Sequence, residues 1–363
     1  MRFADVLEIR NGRNQRQVEC PNGKYPIYGS GGVMGHADSY ICEANTVVIG
    51  RKGNINSPIF VEEPFWNVDT AFGLISHADV LIPKYLFYFC ENYNFEKLNT
   101  TVTIPSLTKA NLLQVEIDVP EIGIQKSRVA ILDKIEHSCR LLQQEASCLD
   151  QLVKSRFVEM FGEPITNKMG WPCLSLVKTC KAILGGGTPS KSHPEYFTGG
   201  IPWVSPKDMK YAVISDSIDH ITEEAVAHST TNLVPKNSVL MVIRSGILKH
   251  TLPVAINSVP VTINQDMKAF VPGNSVITEF LMYYFKAIES DVLAGVRGVT
   301  ADNIDFKAFQ QRTIIVPPLE LQNRFAAFVA EADKSKFSLK NGRKEVCFAV
   351  KYIWESLCRG ILI

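Results

Sequence analysis

Apolar residues form two heptad-spaced series along this chain, each preceded by a segment of short β-branched runs. In the first, Leu132, Ile135, Cys139, Leu142, Ala146, Leu149 and Val153 alternate steps of three and four, with Glu136, Arg140, Gln143, Gln144 and Glu145 between them. That spacing predicts a helix with an apolar seam and a solvated outer face, from about Ile124 to Phe161 and roughly 57 Å long at 1.5 Å per residue. The second series, Val329, Ala332, Lys336, Leu339, Arg343, Val346 and Val350, lies 197 residues further on at every position, and Ile353 and Leu357 extend it. Lys336 and Arg343 place charge on this seam. The second helix, from about Leu321, is therefore expected to be weaker in its middle and frayed around Asn341-Gly342. Two such helices pack most simply as an antiparallel coiled coil.

The same offset governs other motifs. Ile117-Asp118-Val119-Pro120 with Ile124-Gln125 returns as Ile314-Ile315-Val316-Pro317 with Leu321-Gln322, and Asn67-Val68-Asp69 returns as Asn264-Gln265-Asp266. Strand-like runs at Thr46–Ile49 and Ser57–Val61 precede a helix-like run at Tyr85–Cys90; Val239–Ile243, Pro253–Ile256 and Phe280–Phe285 repeat that order. A repeat of this length means two domain-sized halves, not a solenoid. The expected fold is mixed α/β (α+β), with pseudo-repeated globular domains at 1–122 and 164–319 and long helices at 123–163 and 320–363.

Composition adds little. With 363 residues and 46% hydrophobic content the chain can bury two cores, and no apolar run reaches the roughly 18 residues that cross a membrane. Met1-Arg2-Phe3-Ala4-Asp5 lacks the apolar stretch of a signal peptide, so a cytoplasmic location is expected. Nine cysteines without a Cys-x-x-Cys pair favour reduced thiols over a disulfide or zinc framework. A net charge of +1 gives no electrostatic footprint for nucleic acid, so any basic surface must be local, as at Arg10, Arg13, Arg16 and Lys24.

Catalytic patterns are missing. Gly29–Gly35 lacks the strand-to-helix context and the spacing of a dinucleotide loop and reads as a loop or tight turn, while Gly185-Gly186-Gly187-Thr188-Pro189 lacks the Lys-Ser/Thr of a phosphate loop. The seven histidines are dispersed, which gives no support for a metal site. There is no nucleophile elbow and no Asn-Pro-Pro-aromatic or Asp-Pro-Pro-aromatic signature for methylating a flipped base.

Four of these runs carry a family resemblance. Lys24–Gly32 resembles the opening of a target recognition domain in specificity subunits of type I restriction-modification enzymes, as does Gly185–Lys191 with Gly200-Ile201-Pro202-Trp203-Val204. The junctions at Val119-Pro120 and Val316-Pro317-Pro318-Leu319 are similar to those that open the family's long helices. The resemblance covers essentially the whole chain, in order. It implies a non-catalytic subunit whose two domains each read half of a bipartite double-stranded DNA target, with an antiparallel helix pair that sets the unread spacer. It further implies docking of two methyltransferase subunits and of restriction/translocase subunits. No cofactor is expected in this chain; S-adenosylmethionine, ATP and Mg are expected on the partners. The first domain departs from the pattern: Asn11-Gly12-Arg13-Asn14-Gln15 stands where the second has Gly-Gly-x-Thr-Pro, so the two should read different half-sites.

Base readout needs Arg, Lys, Asn or Gln held at a groove, and phosphate contacts need positive charge on loops. The candidates for DNA contact are Arg13, Lys24, Tyr28, Arg51 and Lys52 in the first half, and Lys191, Lys207, Arg244, Lys249 and Arg297 in the second. Arg51 and Arg244 each follow the repeated apolar strand and stand two residues before a glycine, as loop-presented side chains would. The candidate seam is Leu132, Ile135, Leu142, Leu149 and Val153 with Val329, Leu339, Val346, Val350, Ile353 and Leu357. The weak net charge keeps a rival open, a two-headed coiled-coil scaffold that binds proteins and has no DNA specificity.

Overall fold

The repeat becomes two sheets of one topology in the computed structural model, which describes residues 1–99, 104–296 and 303–358, without the side chains of 347–351 and 355–358. The chain divides into two compact units, Met1–Gln144 with Leu339–Ile363, and Glu145–Ser338. Candidate Arg297 and the seam side chains of Val350 and Leu357 lie outside the described residues.

The first unit contains α1 (Phe3–Val6), β1 (Leu7–Asn11), β2 (Tyr25–Gly29), β3 (Gly32–Ala37), β4 (Thr46–Gly50), β5 (Ile59–Val61), β6 (Trp66–Asn67), β7 (Ala71–Ser76), α2 (Pro83–Asn92) and α3 (Lys109–Leu113), then the start of α4 (Ile122–Phe161). Its main sheet is antiparallel in the order β1-β7-β4-β5. β4 is buried at all five positions, and its β-branched run suits a central strand packed on both faces. Pro83 opens α2, where a missing N–H costs nothing, and the helix sets Tyr85, Leu86, Tyr88 and Cys90 against Ile9, Val47, Phe72 and Leu74. A second sheet, β3-β2-β6, pairs β2 antiparallel with β3 and parallel with β6.

The glycine cluster, expected to be a loop or tight turn, holds a two-residue tight turn, and strand takes up the rest of it. Gly29 and Gly32 close a hairpin around Ser30-Gly31, and Gly32 holds φ +114°, a conformation glycine adopts without steric cost. Two residues suffice for such a turn, so the glycines on either side extend the ladder.

The second unit takes α4 from Glu145 onward and continues with β8 (Cys173–Ser175), α5 (Leu176–Thr179), β9 (Cys180–Gly185), β10 (Ile201–Val204), β11 (Val213–Ile214), β12 (His220–Ile221), α6 (Glu223–Ala227), β13 (Val239–Val242), β14 (Val254–Asn257), β15 (Thr262–Ile263), β16 (Met267–Pro272), α7 (Thr278–Ala287), α8 (Glu289–Ala294), α9 (Phe306–Gln310), β17 (Thr313–Ile315) and α10 (Leu319–Cys358). Its sheet order, β9-β16-β13-β14, repeats that of the first unit and adds β11 parallel to β14. The small sheet β12-β10-β15 again contains one antiparallel and one parallel pair. Phe157 and Phe161 on α4 pack with Phe280 on α7 and Phe325 on α10, with ring centroids 5.0 to 5.7 Å apart.

α4 and α10 are 40 residues each. On α4, Leu132 and Val153 are buried and Ile135, Cys139, Leu142, Ala146 and Leu149 half-buried, whereas Glu136, Arg140, Gln143, Gln144 and Glu145 are exposed. In the second unit the two helices run antiparallel: Asp150 meets Lys336 at 2.9 Å and Phe157 meets Phe325 at 5.4 Å. Val329 and Ala332 are buried there, and Leu339, Val346 and Ile353 are half-buried in the first unit.

Two expectations about α10 are corrected. It stays helical through Asn341 and Gly342. One interior glycine costs only about 1 kcal/mol relative to alanine, too little to break a helix packed on both sides of it. Nor is Lys336 a defect: its side chain is 12% exposed and its ammonium sits between Asp150 on α4, at 2.9 Å, and Asp333, at 2.6 Å. Burial alone would lower its pKa; hydrogen bonds from the ammonium to Asp333 and Asp150 outweigh it and hold the group above its ordinary 10.5. Arg343 is exposed, off the seam.

Candidate nucleic-acid interface

The repeated Asn-x-Asp motif forms a turn in each unit, between β6 and β7 in the first and between β15 and β16 in the second. Four of the five first-unit candidates are bonded to that turn through their backbones. Arg13 N donates to Asn67 O (2.8 Å), Arg51 N and Lys52 N to Thr70 O (2.8 and 3.3 Å), and Val68 N to Tyr28 O (3.0 Å). Arg13, Arg51 and Lys52 are exposed, and Tyr28 is half-buried with its ring edge-on to Phe65 at 5.3 Å. Burial, then the charge of Glu63, raises the Tyr28 hydroxyl pKa, so this side chain is a neutral donor. Arg51 lies over Phe72 at 5.8 Å. Lys24 stands apart at the far end of β2, 5.5 Å above Tyr25. Arg10, counted above in the local basic cluster, is bound to Glu8 and donates to Ile41 O at 2.8 Å, which leaves it a structural role.

The second unit repeats this wiring. Gly187 N donates to Ile263 O (3.0 Å), Asn264 N to Val204 O (2.9 Å) and Arg244 N to Asp266 O (3.2 Å). Arg244 also binds Asp266 with its side chain, Nε at 2.6 Å and Nη2 at 2.5 Å from Oδ1. Thr188 Oγ1 donates to Gln265 Oε1, which brings the Gly-Gly-Gly-Thr loop onto the same turn. Lys191, Lys207 and Lys249 are exposed on three other segments: the turn before the short 3-10 helix Pro194–Phe197, the wall of a groove of about 350 Å³ shared with Lys210 and Tyr211, and the end of the 3-10 helix Gly246–Lys249. The structure thus gathers Arg13, Tyr28, Arg51 and Lys52 in one unit and Arg244 in the other, and leaves the remaining described candidates dispersed.

One glycine in each unit makes this close approach possible. A Cβ on Gly12 would collide with the Val68 carbonyl, and one on Gly186 with the Asn264 carbonyl, so both chains can pass against the turn only without a side chain. Gly12 and Gly186 are therefore equivalent, and Arg13 stands where the second unit has Gly187. Trp66 Nε1 donates to Arg13 O at 3.1 Å and Trp203 Nε1 to Gly187 O at 3.0 Å, which fixes both loops from below.

Sequence reasoning missed Thr188, Gln265 and Asp266 as parts of this site. The available signal was the Asn-x-Asp motif itself, which repeats at the common offset although neither residue belongs to an apolar pattern.

This duplicated arrangement matches a family profile described as the type I restriction modification DNA specificity domain, over residues 1–149 and 178–346. The chain belongs to that family. It is 40% identical over 161 residues to the type I restriction enzyme EcoR124I/EcoR124II specificity subunit of Escherichia coli, covering 44% of this chain and 40% of that protein. It is 31% identical over 189 residues to the MjaIX specificity subunit of Methanocaldococcus jannaschii, covering 50% of this chain and 43% of that one. The matched segments thus span less than half of these two relatives. The fold is that of a type I restriction-modification S subunit from M. genitalium, with a TM-score of 0.56 over 99% of this chain and 95% of that one at 14% identity. A chain solved in work on complex assembly and conformational transition of the type I R-M system gives a TM-score of 0.57 at 16% identity, over 100% of this chain and 97% of that one.

Proposed function

We propose that this chain is the DNA specificity subunit of a type I restriction-modification complex, with each unit reading one half of a bipartite double-stranded target. The observation that carries this reading is the twofold occurrence of one scaffold, a sheet-edge turn that anchors exposed arginines, within a member of the specificity-domain family. Loops differ where the scaffold is constant, with Arg13 against Gly187 and Thr70 against a paired Asp266, which suits two different half-sites. The charge near each turn is local, as base readout requires, and the chain as a whole is close to neutral.

In this reading the chain itself does no chemistry. Two methyltransferase subunits, with S-adenosylmethionine, and ATP- and Mg-dependent restriction/translocase subunits assemble around it in the cytoplasm, and the long helices set the spacer and carry the methyltransferase docking surface. A single-molecule map of methylated adenines, in cells with and without this chain, tests the proposal. Loss of one split motif, two short half-sites with a fixed gap, is the expected result. An unchanged map, together with no sequence preference in selection from random duplexes, would replace it with a protein-binding scaffold.

A further inference from the structure

The Arg244 guanidinium is not a loose surface cation. Nε and Nη2 both bind Asp266 Oδ1, at 2.6 and 2.5 Å, and the side chain is 49% exposed. The carboxylate is held in turn: Asn264 Nδ2 donates to Asp266 Oδ2 at 3.2 Å, and Asp266 N donates to Asn264 Oδ1 at 3.1 Å. The backbone closes the frame, since Ile243 N and Arg244 N both donate to Asp266 O, at 2.8 and 3.2 Å. The Ile243 and Arg244 links join the end of β13 to the turn before β16, two adjacent strands of one sheet, and the Asn264 links brace that turn within itself.

A guanidinium bound through Nε and one side of Nη2 keeps its end-on edge, where one N–H of Nη1 and the remaining N–H of Nη2 lie parallel in one plane. That is the two-donor edge that fits the O6 and N7 acceptors of guanine in the major groove. A carboxylate beside the arginine also works against the alternative use of that cation, because it cancels the local positive charge and repels a phosphate. We infer that Asp266 is a positioning residue for DNA specificity, which holds Arg244 as a base-edge reader of one guanine in the half-site of the second unit. This rests on the specificity-subunit reading above and names one element of its recognition code.

The test uses the full-length chain and a random duplex pool, first to obtain the wild-type target and then to measure binding to all single-base variants of it. Arg244→Ala is expected to lose a roughly tenfold to hundredfold preference at one G·C pair, the range of a good bidentate contact, with the salt dependence of binding unchanged. Asp266→Asn should lower the preference at that same pair at least fivefold and leave the other positions and the other half-site as in wild type. Asp266→Glu, which restores the carboxylate, should recover part of it. If Arg244→Ala loses the preference and Asp266→Asn keeps it, Asp266 positions nothing and the inference fails. If Arg244→Ala changes no base preference but reduces the salt slope by about one, the arginine is a phosphate contact and the inference fails, while a wild-type split motif would leave the specificity function standing. Uniform weakening across the half-site in Asp266→Asn, with Asp266→Glu no better, would make the pair a structural tie and overturn the inference as well. Absence of any wild-type motif would instead defeat the specificity reading itself.

Discussion

Gln125 and Gln322 make the same three hydrogen bonds, each at the start of a long helix. Gln125 is fully buried; its Oε1 accepts from Ile82 N at 2.9 Å, and its Nε2 donates to Val80 O at 2.8 Å and Pro120 O at 2.7 Å. Gln322 is equally buried, accepts from Ile277 N at 2.9 Å, and donates to Ser275 O at 3.0 Å and Pro317 O at 2.8 Å. In both units one amide ties the long helix to the segment that leads into α2 or α7. It satisfies three backbone groups that no strand or helix can reach, which is why a polar side chain survives in the core.

Leucine at either position has nearly the same volume but strands one N–H and two carbonyls. Gln125→Leu and Gln322→Leu are each expected to lose about 2–4 kcal/mol, since a buried unpaired polar group costs roughly 1–3 kcal/mol. Urea unfolding monitored by circular dichroism measures both. The two losses should be similar, because the environments are.

Lys336 gives a prediction with a defined pH direction. Its folded pKa is raised, so the stability it contributes is fully present below its ordinary value of 10.5 and is lost as pH rises through the folded value. Thermal melts of the wild type should fall at alkaline pH above that of the ordinary lysine, and Lys336→Met should remove this part of the decline. At neutral pH, where that contribution is fully present, the methionine variant should melt below the wild type, since Asp150 and Asp333 lose the ammonium they share.

Gly12→Ala and Gly186→Ala each add one methyl group against a backbone carbonyl. Overpacking of this kind costs about 1–3 kcal/mol, and the loop can relieve it only by leaving the turn. Each variant should therefore lose recognition of one half-site and retain the other, which selection from random duplexes would reveal. Loss of both halves by a single variant would count against independent readers.

Phe157 meets three other aromatic rings, Phe161 on α4, Phe280 on α7 and Phe325 on α10. Phe157→Ala should cost about 3–5 kcal/mol in the second unit. Proteolysis of the folded protein would read this as new cleavage within 145–338, with fragments of the first unit unchanged.

Much of the architecture was legible because it rests on period and repetition. Val47, Val48 and Ile49 announce a buried strand by composition alone, and Leu132 to Val153 announce a seam by spacing. The errors came where a residue's value depends on a partner far along the chain. Lys336 looks disruptive until Asp150, 186 residues away, is found beside it. Gly12 gives no sign in the sequence of the Val68 carbonyl that an added Cβ would strike. The candidate site followed the same rule. Arg13, Arg51 and Arg244 could be chosen from charge and position, but the bonds that hold Arg13 and Arg51 to the turn of the first unit, and Arg244 N to that of the second, run between backbone groups, which carry no signature in side-chain type.

The two tryptophans have a further consequence. Trp66 lies on β6 and Trp203 on β10, and these are not equivalent strands: β6 corresponds to β15, the parallel neighbour of β10. The indole thus reaches the loop from adjoining strands in the two units, while the carbonyl it anchors keeps its place. What the two units share is a bond to a particular backbone oxygen, supplied from whichever side holds a large ring. The two halves aligned column by column would set each tryptophan against an unrelated residue and leave that common restraint unseen.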